Sequence, residues 1–186
     1  MEVYIGTKFR TVVMRPDPPR DEVSAELLEW CRRWAAAGYI GKAMGNLSAR
    51  GESGFFITPT GSDPSALKAD DLVHVVTAEM APPTLTVAGK HEPSSESLMH
   101  AAIYAARPAI GAVFHGHCNK MLEEAGRLGL PVTPRERPYG TPAMADAVLD
   151  VLSGHAVVIM RNHGFVALGR TMAAANAAVE RVMAKL

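Results

Sequence analysis

Apolar residues recur along this chain in two rhythms, and the switches between them mark its elements. From Asp21 to Ala37, Val23, Leu27, Trp30, Cys31 and Trp34 fall at three- and four-residue steps, the spacing of one face of an α-helix. Asp21 is placed to cap that helix and Gly38 to stop it. The rhythm then shortens. "NLSAR" and "FFITPT" flank the turn "GESG" and predict a hairpin. "DLVHVVT" and "LTVAG" flank a loop holding Pro82 and Pro83, which cannot continue a central ladder. Pro93 leads into "SSESLMHAAIYAARP", where Leu98, Ala102 and Ala105 form a helical stripe, serines stand ready to cap it and Pro108 ends it.

The apolar strand "AVFHGH" follows directly, then a short helix near 119–127 and an irregular "LPVTPRERPYG". Thr141 and Pro142 open the next helix, with threonine as cap and proline at the first helical position, and Gly154 stops it. "AVVIMR" and "GFVALG" read as apolar strands, and Thr171 caps a last Ala-rich helix. The start "MEVYIGTKFR" and the Pro-rich "RPDPPRD" give no element. No repeat or linker divides the sequence, so residues 1–186 read as one α/β domain with helices on both faces of its sheet.

Composition narrows the partners. With 19 basic and 19 acidic residues spread along the chain the formal charge is zero, which argues against a nucleic-acid or anionic-membrane footprint and for a small ligand. Two cysteines, Cys31 and Cys118, are too few for a disulfide framework. A reducing, cytoplasmic setting is expected. No apolar run approaches the roughly 18 residues of a membrane span, and the N-terminus carries no signal pattern.

Two histidines at the end of "AVFHGH" change the picture. On an extended strand His115 and His117 project from the same face, about 6.5–7 Å apart along the chain. A metal ion can bridge that spacing, whereas two packed imidazoles would each need partners for their nitrogens. His163, in "RNHG" beyond a buried strand, is the candidate third ligand, beside a glycine expected to allow a tight turn. His74, His91, His100 and His155 read as satisfied or solvent-facing side chains. In "PSSE", Ser94, Ser95 and Glu96 are expected in the first turn of a helix. Free N–H groups and the positive dipole end there suit either a bound phosphate or an ordinary cap. "MGNLSAR" and "TPTG" are likewise either anion-binding loops or plain turns.

Taken together and in order, "GNLSAR", "TPTG", "PSSE", "HGH" and "RNHG" resemble the class II aldolase/adducin superfamily, and within it the L-fuculose-1-phosphate aldolases, over roughly residues 21–183. The resemblance implies a three-layer α/β/α sandwich around a mainly antiparallel sheet, usually assembled as a homotetramer. It implies that His115, His117 and His163 hold one Zn²⁺ and that Glu96 is the acid/base. It also implies that Gly45, Asn46, Thr60, Gly61, Ser94 and Ser95 cradle the phosphate of a small ketose, which is cleaved to dihydroxyacetone phosphate and an aldehyde. Related members dehydrate or epimerise pentulose phosphates, and adducin heads are non-catalytic interaction modules without the histidines. The family's aldehyde-side tyrosines have no clear match; Tyr139 is the tyrosine of the intervening loop, and His91 and Arg135 are further candidate substrate contacts.

Overall fold

Eight strands join into one sheet in a computed structural model that describes residues 6–19, 21–42 and 44–186. In chain order they are β1 (Arg10–Arg15), β2 (Asn46–Arg50), β3 (Phe55–Ile57), β4 (Val73–Met80), β5 (Pro83–Ala88), β6 (Ala112–Gly116), β7 (Val157–Met160) and β8 (Gly164–Gly169). Their order across the sheet is β1-β5-β4-β3-β2-β6-β8-β7. Every pairing is antiparallel except β1 with β5, so the sheet is mainly antiparallel, as expected.

Helices α1 (Glu22–Ala36), α3 (Asn119–Glu123) and α5 (Met172–Met183) cover one face, and α2 (Ser97–Ala106) and α4 (Pro142–Val151) cover the other. This is the three-layer sandwich. Strand alternation sorts the side chains: Leu47, Ala49, Phe114, Phe165 and Ala167 face α1 and α5, while Val113, Val166 and Leu168 face α2 and α4. On the first face Leu27, Cys31 and Trp34 of α1 pack into an aromatic cluster, Trp34 lying edge-on to Phe114 with ring centroids 4.9 Å apart. Trp34 also donates its indole N–H to Asn176 of α5 at 2.9 Å. The expected stripe of α1 is buried at Leu27, Cys31 and Trp34, with Val23 and Trp30 at its margins. Burial pushes the Cys31 thiol up to about 12, against a smaller opposing pull from Arg32, which leaves it an inert packing group.

Three sequence expectations shift. β1 was not legible, because its TVVM run is an edge strand, largely exposed, with nothing alternating against it; Val13 and Met14 are 57% and 64% exposed. Pro83 lies within β5 opposite Met80, as the first residue of its strand, where a missing N–H costs no ladder bond. The helix foreseen over 119–127 ends at Glu123 and continues as turns. Of the N-terminal stretch, residues 1–5 lie outside the described ones.

Candidate active site

β6, the strand that breaks the apolar rhythm, places His115 at its end with the ring toward α2, while Phe114 turns to the opposite face. His117 lies just past the strand, held by its N–H to the Tyr39 carbonyl at 2.9 Å. His163 comes from the turn between β7 and β8. One nitrogen from each of the three rings lies within 4.8 Å of the other two. The Nε2 atoms of His115 and His117 are 3.1 Å apart, close to the roughly 3.3 Å edge of a tetrahedron with 2.0–2.1 Å metal–nitrogen bonds.

Local backbone explains the convergence. The tight turn before His163 is carried by Asn162, at φ 59°, and not by Gly164 as the sequence suggested. Gly164 opens β8, and a Cβ there would sit 2.7 Å from Cε1 of His115; the glycine makes room for the ring. Gly45, at φ 71°, is equally constrained, since a Cβ would meet Ile40 at 2.6 Å and the His115 carbonyl at 2.8 Å.

Protonation follows from partners. Nδ1 of His115 lies 2.9 Å from the Phe165 carbonyl, which can only accept, so Nδ1 carries the proton and Nε2 faces the cluster. Burial, reinforced by His115 and His163 and opposed by Glu96, pushes His117 down to about 3, so it stays neutral with a lone pair to give. Glu96 is buried among these groups, its two carboxylate oxygens 3.0 Å from His115 Nε2 and 3.0 Å from His163 Nε2. Asn46 donates to the same carboxylate at 2.8 Å. Burial alone would raise the Glu96 carboxyl; the neighbouring His115 and His163 outweigh it and hold the group well below the usual carboxylate range. Crowding three imidazoles and a carboxylate around one point is the donor set of a divalent cation, and the residues present fit one. Cys118 takes no part among the described residues and packs instead against the α1 side of the core.

The cluster lines a cavity of about 640 Å³. Gly45, Asn46, Thr60, Gly61, Ser94 and Ser95 all line it, so the structure brings together every residue singled out for metal, acid/base and phosphate. Two details differ from expectation. α2 begins at Ser97, so Ser94, Ser95 and Glu96 precede the helix instead of forming its first turn. The reason is that Ser94 N–H donates to the Thr58 carbonyl at 3.2 Å and Thr60 N–H to the Glu92 carbonyl at 3.1 Å, which holds the two segments extended side by side. Those amides are engaged within the fold, so the cavity wall there offers hydroxyl groups. Secondly, Asn46 is committed in part to Glu96.

The weaker candidates separate. Tyr139 lines the cavity but donates its hydroxyl to the Gly6 carbonyl at 3.1 Å, with Lys8 over its ring. His91 is paired with Asp71 at 3.2 Å, and neither it nor Arg135 lines the cavity. Lys42 and Arg137 do line it. Nothing in their spacing marked them, because each lies in an irregular loop.

The chain belongs to the family described as class II aldolase and adducin N-terminal domain, whose model matches residues 25–184. Among individual relatives, the 5-methylthioribulose-1-phosphate/5-deoxyribulose-1-phosphate aldolase of Escherichia coli O45:K1 is 31% identical over 169 residues, covering 82% of this chain and 76% of that protein. The L-fuculose phosphate aldolase of Haemophilus influenzae is 26% identical, covering 82% and 75%. A solved L-fuculose 1-phosphate aldolase superposes with a TM-score of 0.77 at 24% identity, over 89% of this chain and 84% of that one, and shares the fold.

Proposed function

We propose that this protein is a zinc-dependent lyase that cleaves a small phosphorylated ketose, of the L-fuculose 1-phosphate or 5-deoxypentulose 1-phosphate kind, to dihydroxyacetone phosphate and an aldehyde. The observation that carries the reading is the convergence of His115, His117 and His163 on one point beside the Glu96 carboxylate. Relatives named as aldolases for both substrates support it.

A metal ion held by the three imidazoles would polarise the ketone and stabilise the negative charge that develops when the neighbouring carbon–carbon bond breaks. The remaining work falls to the chain. Glu96 is ionised and aimed by Asn46, so it can take or return a proton at the carbon that becomes carbanionic. The hydroxyls of Thr60, Ser94 and Ser95, with the open backbone at Gly61, line the same cavity as the histidines and would hold the phosphate there. Main-chain crowding at Gly45 fixes that wall against the His115 strand. Tyr139 lines the cavity with its hydroxyl donated to the Gly6 carbonyl, and a contact from a second subunit of a tetramer would supply the aldehyde-side proton if that bond is kept.

Incubating the zinc-loaded protein with a panel of ketose 1-phosphates, and following dihydroxyacetone phosphate by a coupled reduction, tests the reading. Product release that stops on chelation is expected. Loss of water without cleavage would assign a dehydratase, epimer formation an epimerase, and no turnover of any ketose phosphate an adducin-like binding module. Light scattering would report the tetramer.

A further inference from the structure

Behind Glu96 lies a buried polar layer of which the chemistry above uses only the Asn46 end. β2 alternates, so Asn46, Ser48 and Arg50 face α2 while Leu47 and Ala49 face α1. Each of the three meets α2 one turn further along. Asn46 donates to Glu96 at 2.8 Å. The Ser48 hydroxyl lies 2.7 Å from Nδ1 of His100 and 2.9 Å from the Tyr104 hydroxyl. Arg50 stacks over the Tyr104 ring, 4.7 Å from its centroid, and donates to the Tyr104 and Ile110 carbonyls, both at 3.0 Å.

The match is geometric. Two residues of a strand advance about 6.6 Å and four residues of a helix about 6.0 Å, so positions 46, 48 and 50 stay in step with 96, 100 and 104. Ser48 and His100 are 0% exposed and Tyr104 is 5% exposed. Such a layer does little for stability that apolar packing would not do better, and His100 even leaves its Nε2 without a hydrogen-bond partner among the described residues. What a polar ladder does supply is a single rotation and slide of helix against strand.

We propose that Ser48, His100 and Tyr104 are positioning residues: they lock α2 onto β2 and thereby aim the Glu96 carboxylate at the reacting carbon. For catalysis the inference rests on the lyase reading, but its structural half does not, because Asn46 reports the aim of Glu96 directly. The experiment compares His100→Leu, which removes the ring nitrogens, with His100→Asn, whose amide can reproduce the Nδ1 contact to Ser48. In the metal-free protein the Asn46 side-chain amide signal, read by NMR, is expected to move in His100→Leu and to return toward wild type in His100→Asn. In the zinc-loaded protein His100→Leu should lower kcat roughly tenfold or more, with KM and metal affinity changed by less than about twofold, and His100→Asn should restore most of it. An unmoved Asn46 signal in His100→Leu, or an asparagine variant no better than leucine, would overturn the proposal. Should His100→Leu fail to fold, Ser48→Ala keeps the ring and removes the rung, and an unmoved Asn46 signal there overturns it equally. A wild-type protein that cleaves no ketose phosphate would sink the lyase reading alone, and the Asn46 signal would still decide the ladder.

Discussion

The two faces of the sheet are made by the same strands and do opposite work. Toward α1 and α5, β2 and β6 present Leu47, Ala49, Ala112 and Phe114, and the layer is closed with aromatic rings. Toward α2 they present the buried polar Asn46, Ser48 and His115, with Val113 the apolar exception among them. One residue's shift in register would exchange the two sets. The contrast teaches that a strand can spend alternate positions on stability and on chemistry, the apolar face holding rigid what the polar face must aim.

The widest separation between the faces is expected from substitutions that touch only one. His115→Ala should abolish ketose cleavage and leave the melting temperature of the metal-free protein within a few degrees, because the core behind it is untouched; calorimetry beside the coupled assay checks both. Glu96→Gln should retain metal and lower kcat by about 10²–10⁴, the usual worth of a positioned acid/base. On the other face Trp34→Ala should cost about 3–5 kcal/mol in denaturant unfolding, with near-normal turnover in molecules that remain folded. If Trp34→Ala instead removed activity at full stability, the division of labour would be wrong.

Smaller effects sharpen the same contrast. Burial pushes His100 down to about 3, against an opposing pull from Glu96, while an unfolded histidine titrates near 6.5. The unfolded chain therefore takes up a proton that the folded one refuses. Stability that is full above about pH 6.5 should be lost progressively as pH falls toward about 3, with the depressed Glu96 adding in the same direction at the acid end. The slope between pH 6.5 and 5 should flatten in His100→Asn and stay unchanged in Trp34→Phe, as read by urea unfolding of metal-free protein at stepped pH. Least of all, Asn176→Ala removes the partner of the Trp34 indole and should cost about 1 kcal/mol.

How much of this was legible in the chain depends on the range of the interactions. The apolar face was readable because its signal is periodic: Leu27, Cys31 and Trp34 declare the helix, and the strands around Phe114 and Phe165 declare the sheet. The histidine pair declared itself by breaking that period. His163 and Glu96 could be placed only through the likeness of their motifs to a family, since no local rule links them to His115. Three features escaped. The β1 edge strand has no buried side to alternate against. The turn at Asn162 looked like a property of the glycine two residues on, because a positive φ at asparagine leaves no sequence mark distinct from any other asparagine. The Ser48–His100–Tyr104 layer pairs residues 52 and 56 positions apart, and each alone reads as an ordinary polar residue in an ordinary element.

The central claim is that three imidazoles from distant segments share one divalent ion. Titrating metal-free protein with Co²⁺, and following the visible absorption of the bound ion, tests it without recourse to any substrate. One ion per chain in a tetrahedral-type spectrum is expected for the wild type, with that site lost in His115→Ala, His117→Ala and His163→Ala alike. Undiminished one-to-one binding in any of the three, or no binding by the folded wild type, would contradict the account.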